Sequence, residues 1–174
     1  QAGSEVHGCA NHGEIQGKLS AHGGGGIAGW MGNDPGGTED AYNFKIRNCI
    51  NTGNISNTNP KCHLGGIIGY AEEGSSAYHP DAAILGCLNK GRITSKQDWE
   101  TGGIAGQLDW YGHIEFCSCL PKDQLSDYGY HPWEGGVKYD ALLYESYRVR
   151  NVVEYKSQSA DALSALGTKY WHLP

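Results

Sequence analysis

The chain has 174 residues, enough for one domain with a substantial core, and its 27 glycines indicate many tight turns. A hydrophobic fraction of 39% is too high for a disordered linker. The net charge of -6, with only 13 thinly spread basic residues, argues against nucleic acid or an anionic membrane as partner, because both require a clustered basic surface. No run of residues approaches the roughly 20 apolar positions of a membrane-spanning helix.

A three-part motif recurs along the first two thirds of the chain. A segment of type Ile-x-x-Cys or Val-x-x-Cys ends at Cys9, Cys49, Cys87 and Cys117. After the first three cysteines comes Asn-x-Gly-x-Ile, starting at Asn11, Asn51 and Asn89. Gly-Gly-Ile-x-Gly then follows at residues 25–29, 65–69 and 102–106. The offset from cysteine to double glycine is 16, 16 and 15 residues, and such constant spacing is typical of stacked repeats.

The chemistry of the motif predicts one β-coil per repeat. Asn-x-Gly provides residue types that tolerate positive φ, which would turn the chain between two short strands. Isoleucines favour strands, and those at the same motif position should stack from coil to coil to form the core. We expect three strands per coil, from the Ile-x-x-Cys, Gly-x-Ile and Gly-Ile-x-Gly segments. The expected columns are Ile15, Ile55 and Ile93, and Ile27, Ile67 and Ile104.

The predicted fold is all-β, a right-handed β-solenoid of about three to four coils with long loops on one edge and a C-terminal cap containing a short helix. The solenoid repeats occupy residues 1–117, at about 5–45, 46–83 and 84–113, with a fourth starting at 114. Residues 118–174 form the predicted cap, which would cover the last strand edges. Within the cap, residues 147–155 are predicted to form a strand and 159–167 a helix.

The order Cys-x-Asn-x-Gly-x-Ile and then Gly-Gly-Ile-x-Gly resembles the GLUG-type repeats of secreted and surface-anchored bacterial proteins, over residues 6–117. The resemblance implies a β-solenoid and an extracellular or cell-surface location, and it carries no catalytic residue. Such repeats also accompany IgA-cleaving metallopeptidases. The chain has no His-Glu-x-x-His, so no peptidase activity is implied. We expect the chain to be part of a larger polypeptide.

Aromatic and acidic side chains concentrate in the segments that follow the third predicted strand of each repeat. Insertions at one repeat position fall on one edge, where solenoids usually bind their ligands. Aromatic faces beside carboxylates suit sugars, which present apolar C–H faces rimmed by hydroxyls. The alternative is that these rings only close the loops onto the coil. The predicted ligand-binding residues are Trp30, Tyr42, Tyr70, Tyr78, Trp110 and Tyr111.

Three acids on this edge, Glu72, Asp81 and Asp109, form a candidate catalytic group. Glu72 and Asp109 each lie three residues after the closing glycine of a strand, so adjacent coils would bring them close together. Two close carboxylates could act as acid and nucleophile on a glycoside. The first repeat has Gly32 at this position, and solvated surface acids are the commoner explanation.

Two further groups could involve metal or thiol chemistry. The loop that contains Asp34, Glu39 and Asp40 offers oxygen ligands for calcium, although it does not match an EF-hand and an ordinary polar turn is the alternative. No other cofactor is expected. Cys62 and His63 with His22 are an incomplete ligand set.

The four repeat cysteines should stack as an inward column of thiols. Neighbouring Cα atoms near 5 Å apart would permit disulfides, but small buried thiols pack well, and we favour free thiols. Cys62 and Cys119 lie outside the column. The regular recurrence therefore indicates packing rather than pairing.

The function predicted from these features is an extracellular bacterial repeat module, without catalysis, for adhesion or recognition. Its expected partner is a host or bacterial glycan or a surface protein. One alternative is a carbohydrate-active enzyme or a subunit of one, which rests on analogy with other β-solenoids. A second is a passive stalk or scaffold within a larger surface protein, against which the long loops and the cap argue.

Overall fold

The computed structural model describes residues 5–19, 23–31, 44–59, 62–71, 83–95, 101–108, 113–115, 117–119, 134–136, 149–150 and 153–154. These residues form twenty short β-strands and no helix, and every strand pairing among them is parallel. The same residues include no helix of a length and hydropathy suited to crossing a membrane. The described chain is therefore all-β, with parallel strands stacked in the manner of a β-solenoid.

Five strands recur in a fixed order in each repeat. Repeat 1 contains β1 (Glu5–His7), β2 (Ala10–Asn11), β3 (Ile15–Gly17), β4 (Gly24–Gly25) and β5 (Ala28–Met31). Repeat 2 contains β6 (Lys45–Arg47), β7 (Ile50–Asn51), β8 (Ile55–Asn57), β9 (Leu64–Gly65) and β10 (Ile68–Ala71). Repeat 3 contains β11 (Ala83–Leu85), β12 (Leu88–Asn89), β13 (Ile93–Thr94), β14 (Thr101–Gly102) and β15 (Ala105–Leu108). The remaining strands are β16 (His113–Glu115), β17 (Ser118–Cys119), β18 (Glu134–Gly136), β19 (Val149–Arg150) and β20 (Val153–Glu154).

Strands at the same position in successive repeats form five parallel sheets. Sheet A runs β1, β6, β11, β16, β19, and sheet B runs β2, β7, β12, β17, β20. Sheet C contains β3, β8 and β13, and sheet D contains β4, β9 and β14. Sheet E runs β5, β10, β15, β18. Sheets A, B and E therefore continue past Cys117, and β19 and β20 lie inside the 147–155 segment for which the sequence predicts a strand.

The Asn-x-Gly segment turns without positive φ, which corrects the prediction made for it. In the described residues positive φ occurs at Gly23 and at the residue before three of the repeat cysteines, namely Gly8, Asn48 and Gly86. That left-handed residue divides the segment around the cysteine into two strands. Because the first glycine of the double glycine and the residue before it also form a strand, each repeat has five strands rather than three.

Both predicted isoleucine columns are present. Ile15 and Ile93 are the Cα partners of Ile55 on either side of β8. The Ile27 N–H donates to the Ile67 carbonyl at 3.0 Å, and the Ile67 N–H donates to Ile104 at 2.9 Å. Sheet A adds a third aliphatic column, Val6, Ile46, Ile84 and Ile114. These columns belong to one hydrophobic cluster, which forms the core.

The motif asparagines form a ladder of side-chain amides. Asn11 Nδ2 donates to Asn51 Oδ1 at 2.8 Å, and Asn51 Nδ2 donates to Asn89 Oδ1 at the same distance. Each amide also donates to the carbonyl of the glycine two residues later. Asn51 and Asn89 are fully buried, so these bonds satisfy groups that water does not reach. The motif therefore requires asparagine for the hydrogen bonds of its side chain and not for its tolerance of positive φ.

The double glycine packs against this ladder. A Cβ added to Gly26 would collide with the Asn51 side chain, and one added to Gly66 would collide with Asn89. The Asn89 amide also donates to the Gly103 carbonyl at 3.0 Å. The motif asparagine of one repeat thus packs against the double glycine of the preceding repeat, and in repeat 3 Asn89 also bonds to the double glycine of its own repeat.

Candidate functional site

Trp30 and Tyr70 occupy adjacent positions on sheet E. They are Cα partners in the pairing of β5 with β10, and Tyr70 is also the Cα partner of Gln107 in β15. Neighbouring parallel strands lie about 4.8 Å apart, so the two rings project from backbone positions separated by that distance. Trp30 is 49% exposed, the one exposed large hydrophobic side chain among the described residues.

His63 supports the tyrosine of this pair. It lies immediately before β9 in sheet D, and its ring stacks on that of Tyr70 with centroids 4.8 Å apart and planes 28° from parallel. Tyr70 is half-buried. We refer to Trp30, Tyr70 and His63 as the aromatic site, in which the strand pairing and the stacked histidine hold the tyrosine in place.

Exposure falls steadily along this column of sheet E. Trp30 is open to solvent, Tyr70 is half-buried and Gln107 is only 6% exposed. The accessible ring surface is therefore at the repeat 1 end of the column. A ligand that stacks on the aromatic site would meet Trp30 first and Tyr70 second.

The structure brings together two of the predicted binding residues and adds one that the sequence did not indicate. Trp30 and Tyr70 were predicted from their position after the third strand. The sequence indicates His63 only as part of an incomplete metal-ligand set with Cys62 and His22. Its position two residues before the double glycine is occupied by Gly23 in repeat 1. The stacking of His63 on Tyr70 depends on how sheets D and E lie next to each other, and only the structure shows this.

Most of the other predicted site residues lie outside the described part of the chain. They are Tyr42, Tyr78, Trp110 and Tyr111 of the binding set, Glu72, Asp81 and Asp109 of the acid set, and Asp34, Glu39 and Asp40 of the calcium set. His22 and the predicted helix at 159–167 are outside it as well. Within the described ranges, no cluster of three or more His, Cys, Asp or Glu could hold a metal ion.

The cysteine column is confirmed, and its thiols form no disulfides. Cys49, Cys87 and Cys117 are buried. Each of these three thiols donates to a carbonyl of the preceding repeat: Cys49 to Val6 at 3.9 Å, Cys87 to Ile46 at 3.6 Å and Cys117 to Ile84 at 3.4 Å. Cys9 differs from the prediction because it is exposed.

The local environment keeps the inner thiols protonated. A hydrogen bond with Cys87, and then burial, raise the pKa of Cys49 above its ordinary value of 9.0. Burial, and then a hydrogen bond with Cys117, raise the pKa of Cys87. Since the thiolate is the reactive form, both groups are chemically inert at neutral pH.

We expect Cys9 to be the thiol of this column that reacts readily with dithionitrobenzoate in the folded protein. The Cys9→Ala variant should lose the fast phase, whereas Cys87→Ala should retain it. A fast phase that survives in Cys9→Ala and disappears in Cys87→Ala would contradict the burial order.

The stability of the protein should also depend on pH through the buried thiols, and chemical denaturation at a series of pH values measures this dependence. Above about pH 9 the unfolded thiols release protons that the folded thiols keep, so stability should fall, by at most about 1.4 kcal/mol per pH unit for each thiol.

Comparisons with known proteins do not assign the chain to a family. No family model, no curated protein and no solved structure matches it. What the chain does is therefore inferred from the aromatic site and from the repeat array that carries it.

Proposed function

We propose that the chain is a non-catalytic recognition module that binds a glycan, or a protein surface, through the aromatic site. The observation that supports this proposal most directly is the half-exposed Trp30 beside Tyr70 in paired strands of sheet E. A single exposed tryptophan is common on protein surfaces. Two rings at paired positions of one sheet, one of them stacked on His63, would offer a ligand more than one ring to stack on.

The energetics of such a surface suit a sugar ligand. Indole and phenol rings present large apolar faces that pack on the C–H face of a sugar, while their polar atoms remain available to hydroxyls. The backbone of paired strands is already ordered, so a ligand that binds there would cost little backbone entropy. The binding surface would need no rearrangement of the core.

We further propose a right-handed β-solenoid of about three to four coils as the frame, with binding loops on one edge. The stacking of β16 to β20 on sheets A, B and E supports further coils beyond repeat 3. Residues 118–174 would complete the array as a cap with a short helix. The GLUG-type motif supports an extracellular or cell-surface role in a bacterial protein, as part of a larger polypeptide. We also propose that Asp34, Glu39 and Asp40 provide oxygen ligands for a calcium ion.

A glycan array tests the proposal with variants of one ring. Selective binding by the parent chain, with and without calcium, should fall by about fivefold or more in Trp30→Ala, because an aromatic stacking partner contributes about 1 kcal/mol or more. Trp30→Phe, which keeps a ring, should retain most of the binding. Tyr70→Ala should weaken the same glycans.

The matched control is Gln16→Ala, an exposed position in β3 of sheet C. It should bind as the parent chain does, because sheet C does not contribute to the aromatic site. Equal loss in Gln16→Ala and Trp30→Ala would mean that the effect is not specific to the aromatic site. No glycan bound under either calcium condition would overturn the glycan version and leave a protein ligand or a stalk.

A further inference from the structure

Repeat 1 leaves open the positions that are covered in repeats 2 and 3. Cys9 and Gly13 are exposed, whereas their counterparts Cys49 and Gly53 are buried. The aliphatic columns show the same difference. Val6, Ile15 and Ile27 are half-buried in repeat 1, and Ile46, Ile55 and Ile67 are 0% exposed in repeat 2. The edge formed by β1, β2, β3 and β5, here the repeat 1 edge, therefore displays the residue types that elsewhere form the core.

Backbone hydrogen bonds between repeats identify the groups that point outward from this edge. The N–H of the residue after each cysteine donates to the cysteine carbonyl of the preceding repeat, as Ile50 does to Cys9 and Leu88 to Cys49, both at 2.9 Å. The N–H three residues after the cysteine donates likewise, as Thr52 does to Asn11. The corresponding N–H groups in repeat 1 belong to Ala10 and His12. Because the equivalent N–H groups of repeats 2 and 3 donate toward the preceding repeat, the N–H groups of Ala10 and His12 point away from repeat 2.

Two side chains at the repeat 1 edge show which partner groups would fit there. Cys49 and Cys87 each contact two carbonyls, one two residues back in their own repeat and one in the preceding repeat. Cys9 makes only the first kind of contact among the described residues, to His7 at 3.7 Å. Asn89 Oδ1 accepts both from the N–H of Gly91 and from the asparagine amide of the preceding repeat. Asn11 Oδ1 accepts from the equivalent N–H, that of Gly13, at 3.1 Å. In the described residues the ladder thus ends on an acceptor that has room for one more donor.

We infer that the repeat 1 edge is a docking surface for a further β-coil of the same repeat chemistry, added in parallel and in register. That coil would supply an asparagine amide to Asn11 Oδ1, a carbonyl to the Cys9 thiol and aliphatic side chains over Val6 and Ile15. These are the groups that repeat 1 supplies to repeat 2, and repeat 2 to repeat 3. The interface is therefore continuous with one that the protein already forms twice. The inference does not depend on the proposed glycan function.

The test places a copy of residues 44–82 directly before Glu5 of the full chain, where the register of repeats 2 and 3 positions it. The tethered copy should slow modification of Cys9 by dithionitrobenzoate by about tenfold or more, because a covered thiol reacts only when the structure opens locally. Amide exchange at Ala10 and His12 should slow as well. The matched control carries the same copy with aspartate at the counterparts of Asn51 and Ile55, and it should protect neither group.

A second readout separates docking from a copy that merely fails to fold. Gly13→Ala should be tolerated in the parent chain but should destabilise the extended chain, because the added coil would bring a glycine carbonyl against position 13, as Gly13 now does against Gly53. Equal Cys9 reactivity in the parent and extended chains, or equal protection by the aspartate copy, would overturn the inference. So would protection of Cys9 that rises with concentration in the parent chain, since it would assign the edge to a second copy.

Discussion

Replacing Gly53 by alanine is expected to lower the free energy of unfolding by about 3 kcal/mol, near the upper end of the range for overpacked sites. A Cβ at this position would collide with the carbonyl of Gly13 and lie 2.7 Å from its carbonyl carbon. The obstacle is backbone in the neighbouring repeat, held by the pairing of β2 with β7, so it cannot rotate away. Relief would require the two repeats to separate locally.

Gly13→Ala is the matched control, because it makes the same change at the same motif position one repeat earlier. The nearest atom to its added Cβ is Asn11 Oδ1 at 3.6 Å, an ordinary contact, and its φ is not positive. Removing the flexibility of glycine from the unfolded chain should make this variant neutral or more stable by about 0.5 kcal/mol. Urea denaturation of both variants measures the difference. Similar destabilisation by the two substitutions would show that the turn, and not the contact between repeats, requires glycine.

Asn51→Asp should be the most damaging of the isosteric changes in the ladder, costing about 3–5 kcal/mol, the usual range for an unpaired buried charge. The wild-type amide donates to Gly53 O at 2.9 Å and to Asn89 Oδ1 at 2.8 Å. A carboxylate has no hydrogen to donate and would place negative charge against both acceptors. The side chain is fully buried, so water cannot screen this repulsion.

Two measurements distinguish this effect from a general intolerance of aspartate. Asn54→Asp, at an exposed position of the same turn, should change stability little, because its carboxylate can still accept the Arg92 N–H that Asn54 Oδ1 accepts at 3.0 Å. The loss in Asn51→Asp should also shrink as the pH falls, since protonation removes the charge and restores one donor. A cost that is independent of pH, or equal in the two variants, would rule out the buried charge as its cause.

The repeat spacing was sufficient to predict which residues stack, because stacking depends only on registration between equivalent positions. Ile15, Ile55 and Ile93 therefore align as expected. The number of strands per repeat was not predictable in the same way. It depends on where the chain turns through positive φ, and residue types at that position vary: Gly8, Asn48 and Gly86. The role of the motif asparagine was also assigned incorrectly, because nothing in a linear pattern shows that it packs against the double glycine of the preceding repeat.

The candidate site was predicted less completely than the core. Trp30 and Tyr70 share a motif position, so their proximity followed from the repeat alone. The stacking of His63 on Tyr70 joins two different sheets, and the position of His63 is occupied by Gly23 in repeat 1. Contacts between different sheets depend on the cross-section of the coil, and the spacing of motif residues along the sequence does not reveal that cross-section.

The register of sheet A shows how much the segments between sheets E and A can vary while the core stays the same. The segments that lead from sheet E back to sheet A span residues 32–44, 72–82 and 109–112, yet the strands that follow them stay aligned position for position. Segment length is thus uncoupled from core geometry. Sequence exchanges or insertions between those strands would therefore leave the array folded. If the proposed recognition function holds, the same core would serve a lineage of modules with different specificities.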